Sequence, residues 1–142
     1  MMKILFIYLT VLVGMVSFAQ TGPNIEFNEE TINYGEVEKE KDDGIRVFEF
    51  TNTGDQPLNI INVKSSCGCT VPEWPKEPIA PGTKGQIKVQ YNMNPGPISK
   101  TITVETNAVN KTNGMIPLRI KGTVIVKEVI NPMMKKKTFP NL

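Results

Sequence analysis

The two cysteines of this chain lie one residue apart, in the stretch SSCGCTVP between Ser65 and Pro72. Paired thiols at this spacing can pack as small buried side chains, close a disulfide, bind a soft metal, or exchange electrons with other thiols. The segment is therefore the first place in this sequence to look for chemistry.

Side-chain alternation favours packing, with a disulfide as an equal alternative. The odd-numbered residues here, which would share one core-facing side of an extended chain, are Ile61, Val63, Ser65, Cys67, Cys69 and Val71. A disulfide would require a bend at Gly68, because Cα atoms two residues apart in a strand lie about 6.6 Å from each other, near the upper end for a bridge. Export to an oxidising compartment would favour the bridge. Such a small ring would be easily reduced, so it could act as a labile redox switch.

Metal binding and thiol exchange are the remaining alternatives. Two thiolates on one face could capture Cu(I) or Zn(II). Further ligands would be carboxylates, a second molecule, or the thioethers of Met93 and Met115. Exchange motifs usually have C-x-x-C spacing at a helix N-terminus, and no helix is predicted after Cys69.

The absence of histidine narrows the possible functions. No histidine occurs in the chain, which excludes Ser-His-Asp and Cys-His nucleophilic systems and zinc sites built on histidine. The 14 acidic residues form no pair that the sequence can place as an acid and a base. A net charge of +2 favours no nucleic-acid partner. The chain is therefore predicted not to be an enzyme.

The ends of the chain predict export. Residues 1–19 are typical of a secretory signal peptide, with Lys3 before an apolar run and a small-x-small cleavage site at 17–19. The run is shorter than the roughly 20 residues of a membrane-spanning helix, so no span is expected after cleavage. Residues 20–128 are predicted to form one domain, and 129–142 a flexible basic C-terminal tail.

Between these ends, short strand patterns alternate with turn signals. Residues 86–92, 101–106 and 116–126 alternate apolar and polar side chains, whereas 45–52 is apolar on both faces and is predicted to be central. About seven to eight strands predict an all-β, immunoglobulin-like antiparallel two-sheet sandwich, with an up-and-down barrel as the alternative.

Three local signals refine this expectation. Asn113-Gly114 predicts a turn before the last strand, because both residues tolerate positive φ. Pro117 lacks a backbone donor, so its strand is expected to pair on only one side there. The charged run EKEKDD, which starts at Glu38, predicts a solvated hairpin loop.

The only tryptophan, Trp74, lies in a stiff proline-rich loop, VPEWPKEPIAPGTKG. It is expected to cap one end of the sandwich, because a small core needs the buried area. A surface recognition role for Trp74 is the alternative.

The segment NTGDQPLNIINVKSSCGCTVPEWPKEPIAPGTKGQIKVQYN resembles the bacterial family called domain of unknown function 1573. The matching elements are Asn52-Thr53-Gly54, Pro57-Leu58, Ser66-Cys67-Gly68-Cys69-Thr70, Pro72, Pro78, Pro81-Gly82 and the strand from Ile87 to Tyr91. The resemblance covers roughly residues 28–126. It implies an exported immunoglobulin-like sandwich, similar to Hydin-like and major-sperm-protein-like modules, with no established activity.

These observations predict an exported, non-catalytic interaction or structural module with a protein or cell-envelope partner. Its expected location is the periplasm or the cell surface of a Gram-negative bacterium. The alternative is a periplasmic copper-binding or thiol-redox protein that uses Cys67 and Cys69.

Overall fold

The computed structural model describes residues 21–127. These residues form two four-stranded sheets that pack face to face, which confirms the predicted all-β, immunoglobulin-like sandwich. The predicted signal peptide (1–19) and C-terminal tail (129–142) lie outside the described residues and stay predictions.

Eight strands make up the sandwich: β1 (Ile25–Phe27), β2 (Thr31–Glu38), β3 (Ile45–Asn52), β4 (Ile60–Ser65), β5 (Thr70–Glu73), β6 (Lys84–Tyr91), β7 (Gly96–Thr106) and β8 (Met115–Ile125). Sheet A has the order β1-β3-β6-β5, and sheet B has the order β2-β8-β7-β4. Neighbouring strands are antiparallel except β2 and β8, which are parallel. The chain enters β2 from the other sheet, so no tight turn forces it to run antiparallel to its neighbour.

The core lies between the inner faces of the two sheets. Strand β3 is central in sheet A, as predicted, and it buries Phe48 and Phe50 completely. Alternation along the other long strands supplies the remaining large fully buried side chains, which include Ile87, Val89, Ile102, Val104, Ile116, Leu118 and Ile120. The period-2 patterns of the sequence therefore identify most of the core.

A fully buried amide holds the end of β3. The side chain of Asn52 donates to the carbonyl oxygens of Gln56 at 2.7 Å and Ile79 at 2.9 Å, and its Oδ1 accepts the N–H of Gly54 at 3.0 Å. A Cβ at Gly54 would collide with the carbonyl oxygen of Gly22. The Asn52-Thr53-Gly54 motif thus serves the fold, because a buried amide must be hydrogen-bonded and only glycine fits beside it.

Two local predictions are confirmed. Asn113 and Gly114 have φ of +54° and +67° in the short 3₁₀ turn (Thr112–Gly114) that leads into β8. Pro117 pairs only with Thr103 of β7, because β2 joins β8 from Arg119 onward.

Two other stretches differ from expectation. The charged run after Glu38 is not a hairpin loop, because it joins β2 of sheet B to β3 of sheet A. Strand β5 lies where the proline-rich loop was predicted to begin. Pro72 is tolerated there because β5 is an edge strand that pairs only with β6. Its missing N–H therefore breaks no hydrogen bond to a second neighbouring strand.

Candidate functional site

The two cysteines lie in the crossing from sheet B to sheet A. Strand β4 ends at Ser65 and β5 begins at Thr70, so residues 66–69 form the whole connection. We call these four residues the disulfide loop, because Cys67 and Cys69 are bonded to each other with their Cα atoms 5.3 Å apart. Of the four alternatives for the pair, the structure has the disulfide.

The prediction that all odd-numbered residues here face the core is wrong. A register shift between Ile60 and Asn62 changes the phase of β4, so that Ile60 and Val63 are buried while Ile61 is 64% exposed. The bend at 66–69 changes the phase again, and Val71 is 60% exposed. The distance between the cysteine Cα atoms is thus shorter than in a strand because the backbone turns between them.

Hydrogen bonds anchor both ends of the disulfide loop. The N–H of Ser66 donates to the carbonyl oxygen of Thr101 at 2.9 Å, and the hydroxyl oxygen of Ser66 accepts the N–H of Thr101 at 3.2 Å. At the other end, the carbonyl oxygen of Cys69 accepts the N–H of Asn92 at 2.9 Å. The loop is therefore tied to β7 of one sheet and to the end of β6 in the other.

The two sulfur-bearing residues differ in their surroundings. Both are half-buried, but Cys69 packs against the hydrophobic core, whereas Cys67 is not part of that packing. Gly68 is exposed, and a Cβ built on it would meet no heavy atom within 4 Å. Core packing therefore holds Cys69 but not Cys67.

The two methionines considered as further metal ligands lie in different surroundings. Met93 is buried in the core. Met115 pairs with Glu105 of β7, which is four residues further along that strand than Thr101, the residue that anchors the disulfide loop. Within residues 21–127, no three side chains of His, Cys, Asp or Glu lie close enough to hold a metal ion. Binding of Cu(I) or Zn(II) by Cys67 and Cys69 stays a prediction, and it applies to the reduced pair.

Trp74 directly follows β5, and its side chain lies between the core and the surface. Its half-buried indole packs against the core, and its Nε1–H is buried without a hydrogen-bond partner. The ammonium group of Lys76 lies 3.2 Å from the ring centroid, a cation–π contact. The indole thus caps the core and also forms a wall of a surface groove.

This groove, which we call the Trp74 groove, has a volume of about 540 Å³ on the outer face of sheet A. It is lined by Glu49, Glu73, Trp74, Pro75, Lys84, Gly85, Gln86 and Lys88. Lys88 pairs with Glu73 at 2.7 Å and Lys84 with Glu49 at 3.7 Å. The volume is within the range of small-molecule sites, but the groove is shallow and open to solvent, and its lining offers both charges and an aromatic surface.

The most perturbed titratable groups have a structural role. The hydroxyl of Tyr34 donates to the carbonyl oxygen of Gly44 at 2.7 Å, and burial raises the pKa of Tyr34 to about 12. The guanidinium of Arg46 lies 4.0 Å from the Tyr34 ring centroid and pairs with both carboxylate oxygens of Asp42. That pairing lowers the pKa of Asp42 below its ordinary value. These groups bind one another at the crossing into β3, so none is left free as an acid or base.

The edges of both sheets are blunted against strand addition. The side-chain amide of Asn110 bonds the backbone of Ile25 in β1, and Pro72 within β5 lacks a backbone N–H. In sheet B, the N–H of Gly35 in β2 donates to the side chain of Asn33, and the N–H of Val63 in β4 donates to that of Asn62. Each of these features occupies or removes one backbone donor of an edge strand, which disfavours the addition of a foreign strand there.

The family described as "Protein of unknown function (DUF1573)" matches residues 25–124. No curated protein matches the sequence. No helix in the described part of the chain is long and apolar enough to cross a membrane.

Solved structures resemble this sandwich at low sequence identity. A protein of unknown function from Porphyromonas gingivalis W83 has a TM-score of 0.60 and 15% identity, over 72% of this chain and 47% of that one. The human CEP192 PapD-like domain 7 has a TM-score of 0.57 and 12% identity, over 82% and 97%. The Vibrio cholerae protease VesB has a TM-score of 0.55 and 12% identity, over 70% of this chain and only 32% of its own. At these identities the likeness shows the fold alone.

Proposed function

Because this chain belongs to the DUF1573 family of proteins of unknown function, we propose a role from its own surface: a non-enzymatic interaction module that binds a protein partner at the Trp74 groove. The observation that carries the proposal is the half-buried indole beside an open groove of about 540 Å³. Tryptophan is enriched among the residues that dominate binding energy, because a held ring buries a large area at little entropic cost.

The surroundings of the groove support a protein partner. Val47 lies directly across from Lys88 on the same outer face and is 41% exposed, and Val71 on the neighbouring strand is 60% exposed. Apolar side chains interspersed with paired charges resemble the composition of non-obligate interfaces. The blunted edges favour recognition through a face of the sandwich over strand addition.

The proposal of a non-enzyme rests on the chemistry of the side chains. The sequence contains no histidine, and the strongly perturbed groups around Tyr34 bind one another. The sandwich is also a fold that hosts many functions, so the likeness to part of a protease carries no activity to this chain.

Export to the periplasm or the cell surface is part of the same proposal. The signal-peptide pattern of residues 1–19 supports it, and so does a disulfide, since such bonds persist in oxidising compartments. Expression of the full chain in a Gram-negative host, followed by fractionation and N-terminal sequencing, tests it. We expect a mature chain that begins at Gln20 in the periplasm or envelope fraction; an uncleaved cytoplasmic product would contradict export.

Peptide selection tests the Trp74 groove. A random peptide library displayed on phage is selected on mature wild-type protein, and the recovered peptides are measured on variants. We expect the peptides to bind at least tenfold more weakly to the Trp74→Ala variant and to the Lys88→Glu variant. The second variant leaves the indole in place and reverses a charge that lines the groove.

The matched control is Val109→Ala, an exposed apolar residue outside the groove lining. Circular dichroism of each variant establishes that the sandwich is intact. Peptides that bind all four proteins equally would place recognition elsewhere and overturn the proposal.

A second candidate function is thiol–disulfide exchange at the disulfide loop, which the asymmetric surroundings of the two cysteines favour. An incoming thiolate would attack Sγ of Cys67, form a mixed disulfide there, and release Sγ of Cys69 as a thiolate that takes a proton from solvent. A second thiol would then resolve the mixed disulfide and leave both cysteines reduced.

Redox titration tests this candidate. Mature protein is equilibrated in glutathione buffers of graded potential, and the thiols are trapped and counted by mass spectrometry. Exchange requires a reversible transition within the physiological glutathione range, and a single mixed disulfide on Cys67 when Cys69→Ser is used. A pair that stays oxidised throughout, or a mixed disulfide formed equally well on Cys69 in Cys67→Ser, would contradict it.

A further inference from the structure

We propose that the outer face of sheet B carries a binding site for a phosphate or sulfate group. The site is a groove of about 280 Å³ that spans three adjacent strands. Its polar lining consists of Thr31, Ser99, Lys100, Thr101, Arg119 and Lys121. We call it the basic groove.

Strand register brings five of these side chains, all except Lys100, into two neighbouring rows. Arg119 of β8 lies between Thr31 of β2 and Thr101 of β7, and Lys121 lies beside Ser99 of β7. Arg119 and Lys121 are two residues apart on one strand, so they project from the same face about 6.6 Å apart. The intervening Ile120 is buried on the opposite face.

Hydrogen bonding fixes the backbone under the groove. The N–H of Arg119 donates to the carbonyl oxygen of Glu30 at 2.8 Å. The carboxylate of Glu30, the residue before Thr31, pairs with Lys111 at 2.9 Å and is therefore already engaged away from the groove. No acidic residue lines the basic groove itself.

The charges of the groove are uncompensated. Seven of the twelve lysine and arginine residues between 21 and 127 form ion pairs with carboxylates. Of the five that do not, Arg119 and Lys121 project from the outer face into this groove, while Lys100, which pairs with the buried Ile120, contributes to its lining from the opposite phase of β7. The Trp74 groove on the other sheet differs, because its lysines are paired with Glu49 and Glu73. The basic groove is therefore complementary to an anion.

The donor set favours a tetrahedral oxyanion over a carboxylate. The guanidinium of Arg119 presents a planar fork that matches two oxygens of phosphate, and Lys121 adds a point charge beside it. The hydroxyls of Thr31, Ser99 and Thr101 can donate to further oxygens. A phosphate or sulfate group has enough oxygens to accept from both rows, whereas a carboxylate has only two.

The groove has room for such a group and part of what carries it, so the ligand could be a small soluble phosphate ester or the headgroup of an anionic lipid. Both sources offer the same chemistry to Arg119 and Lys121. The inference does not rest on the Trp74 groove, since the two surfaces lie on opposite sheets.

Two experiments distinguish a soluble phosphate ligand from a lipid headgroup. In the first, ¹⁵N-labelled mature protein is titrated with inorganic phosphate, and in parallel with acetate, at constant ionic strength. In the second, the protein is sedimented with vesicles of phosphatidylcholine containing phosphatidylglycerol, or of phosphatidylcholine alone. We expect saturable shifts of the amides of Ser99, Thr101, Arg119 and Lys121 with phosphate, or binding to the anionic vesicles, or both.

The double variant Arg119→Gln/Lys121→Gln should weaken either response at least tenfold. The matched control is Lys84→Gln/Lys88→Gln, which removes the same charge from the opposite sheet. Response to phosphate alone assigns a soluble ligand, and response to anionic vesicles alone assigns a lipid headgroup. No saturable response to either probe, equal responses of the two double variants, or acetate binding as tight as phosphate binding would each overturn the proposal.

Discussion

The side-chain amide of Asn110 bonds both backbone polar groups of Ile25, 85 residues away in sequence. Its Oδ1 accepts the N–H of Ile25 at 3.0 Å, and its Nδ2 donates to the carbonyl oxygen at 3.0 Å. Because β1 is an edge of sheet A, the amide occupies the position that a further strand would take. One side chain thus occupies both outward-facing backbone groups of Ile25 in an edge strand that is only three residues long.

Substitution of Asn110 should weaken this edge. We expect Asn110→Ala to lower the free energy of unfolding by about 1–3 kcal/mol, because two backbone groups of a buried residue lose their partner. Urea denaturation measures the loss, and light scattering should show increased self-association through the opened edge. The control is Asn59→Ala, whose backbone N–H bonds Asn107 while its own side chain is exposed; equal losses in the two variants would contradict the role of Asn110.

Gly85 is required by packing. A Cβ there would collide with the ring of Phe50, which is itself fully buried and cannot withdraw. We expect Gly85→Ala to cost about 1–3 kcal/mol of stability through overpacking. Gly68→Ala is the matched control, since a Cβ at Gly68 meets no heavy atom within 4 Å; it should change stability by less than about 0.5 kcal/mol. Thermal unfolding of both variants decides the point.

Stability in acid should depend on Asp42. The hydrogen-bonded guanidinium of Arg46 lowers the pKa of Asp42 below its ordinary value of 3.8. The folded state therefore favours the ionised carboxylate, and this contribution is present above pH 3.8 and is lost as the pH falls through the lower folded pKa. We expect Asp42→Asn to be less stable by about 1–3 kcal/mol at pH 7, because a charged hydrogen bond is lost.

The pH profile provides the check on that prediction. Urea denaturation at intervals from pH 7 to about pH 2 should show a shallower decline for Asp42→Asn than for wild type below pH 3.8. Asp43→Asn serves as the control, because Asp43 forms no ion pair within the described residues. Parallel acid profiles for wild type and Asp42→Asn would refute the assignment.

Removal of the disulfide should have only a modest effect on stability. The bond closes a ring of three residues, and the loop-entropy relation gives about 1.6 kcal/mol for so short a loop. We expect Cys67→Ser/Cys69→Ser to fold and to lose no more than about 2 kcal/mol in urea denaturation. The loop keeps its backbone bonds to Thr101 and Asn92 in this variant. Failure of the double variant to fold would show that the bond, rather than these contacts, holds the crossing between the sheets.

Much of the architecture follows from local pattern. The apolar residues Ile87, Val89 and Tyr91 alternate along β6, and all three are buried as their spacing predicts. The same holds for Ile102 and Val104 in β7. Alternation is a property of the extended backbone itself, so it can be recognised before any strand has a partner.

The candidate sites needed long-range information. The prediction that side chains alternate regularly from Ile61 to Val71 was wrong. The register shift in β4 and the bend at 66–69 each change which face the following side chains occupy. The basic groove could not be predicted at all, since Thr31 and Arg119 are distant in sequence and meet only through the parallel pairing of β2 with β8.

The sequence by itself determined the all-β class, the central position of β3, most of the core and the cysteine pair as the first place to look for chemistry. The tertiary structure decided that the two cysteines form a disulfide and that Trp74 both caps the core and lines a groove. It also decided that cations without an acidic partner lie together on sheet B. The division has a physical reason. Side-chain direction within a strand depends on near neighbours, whereas the phase after a bulge, the turn between two cysteines and the partner of each charge depend on strands that pair across the whole chain.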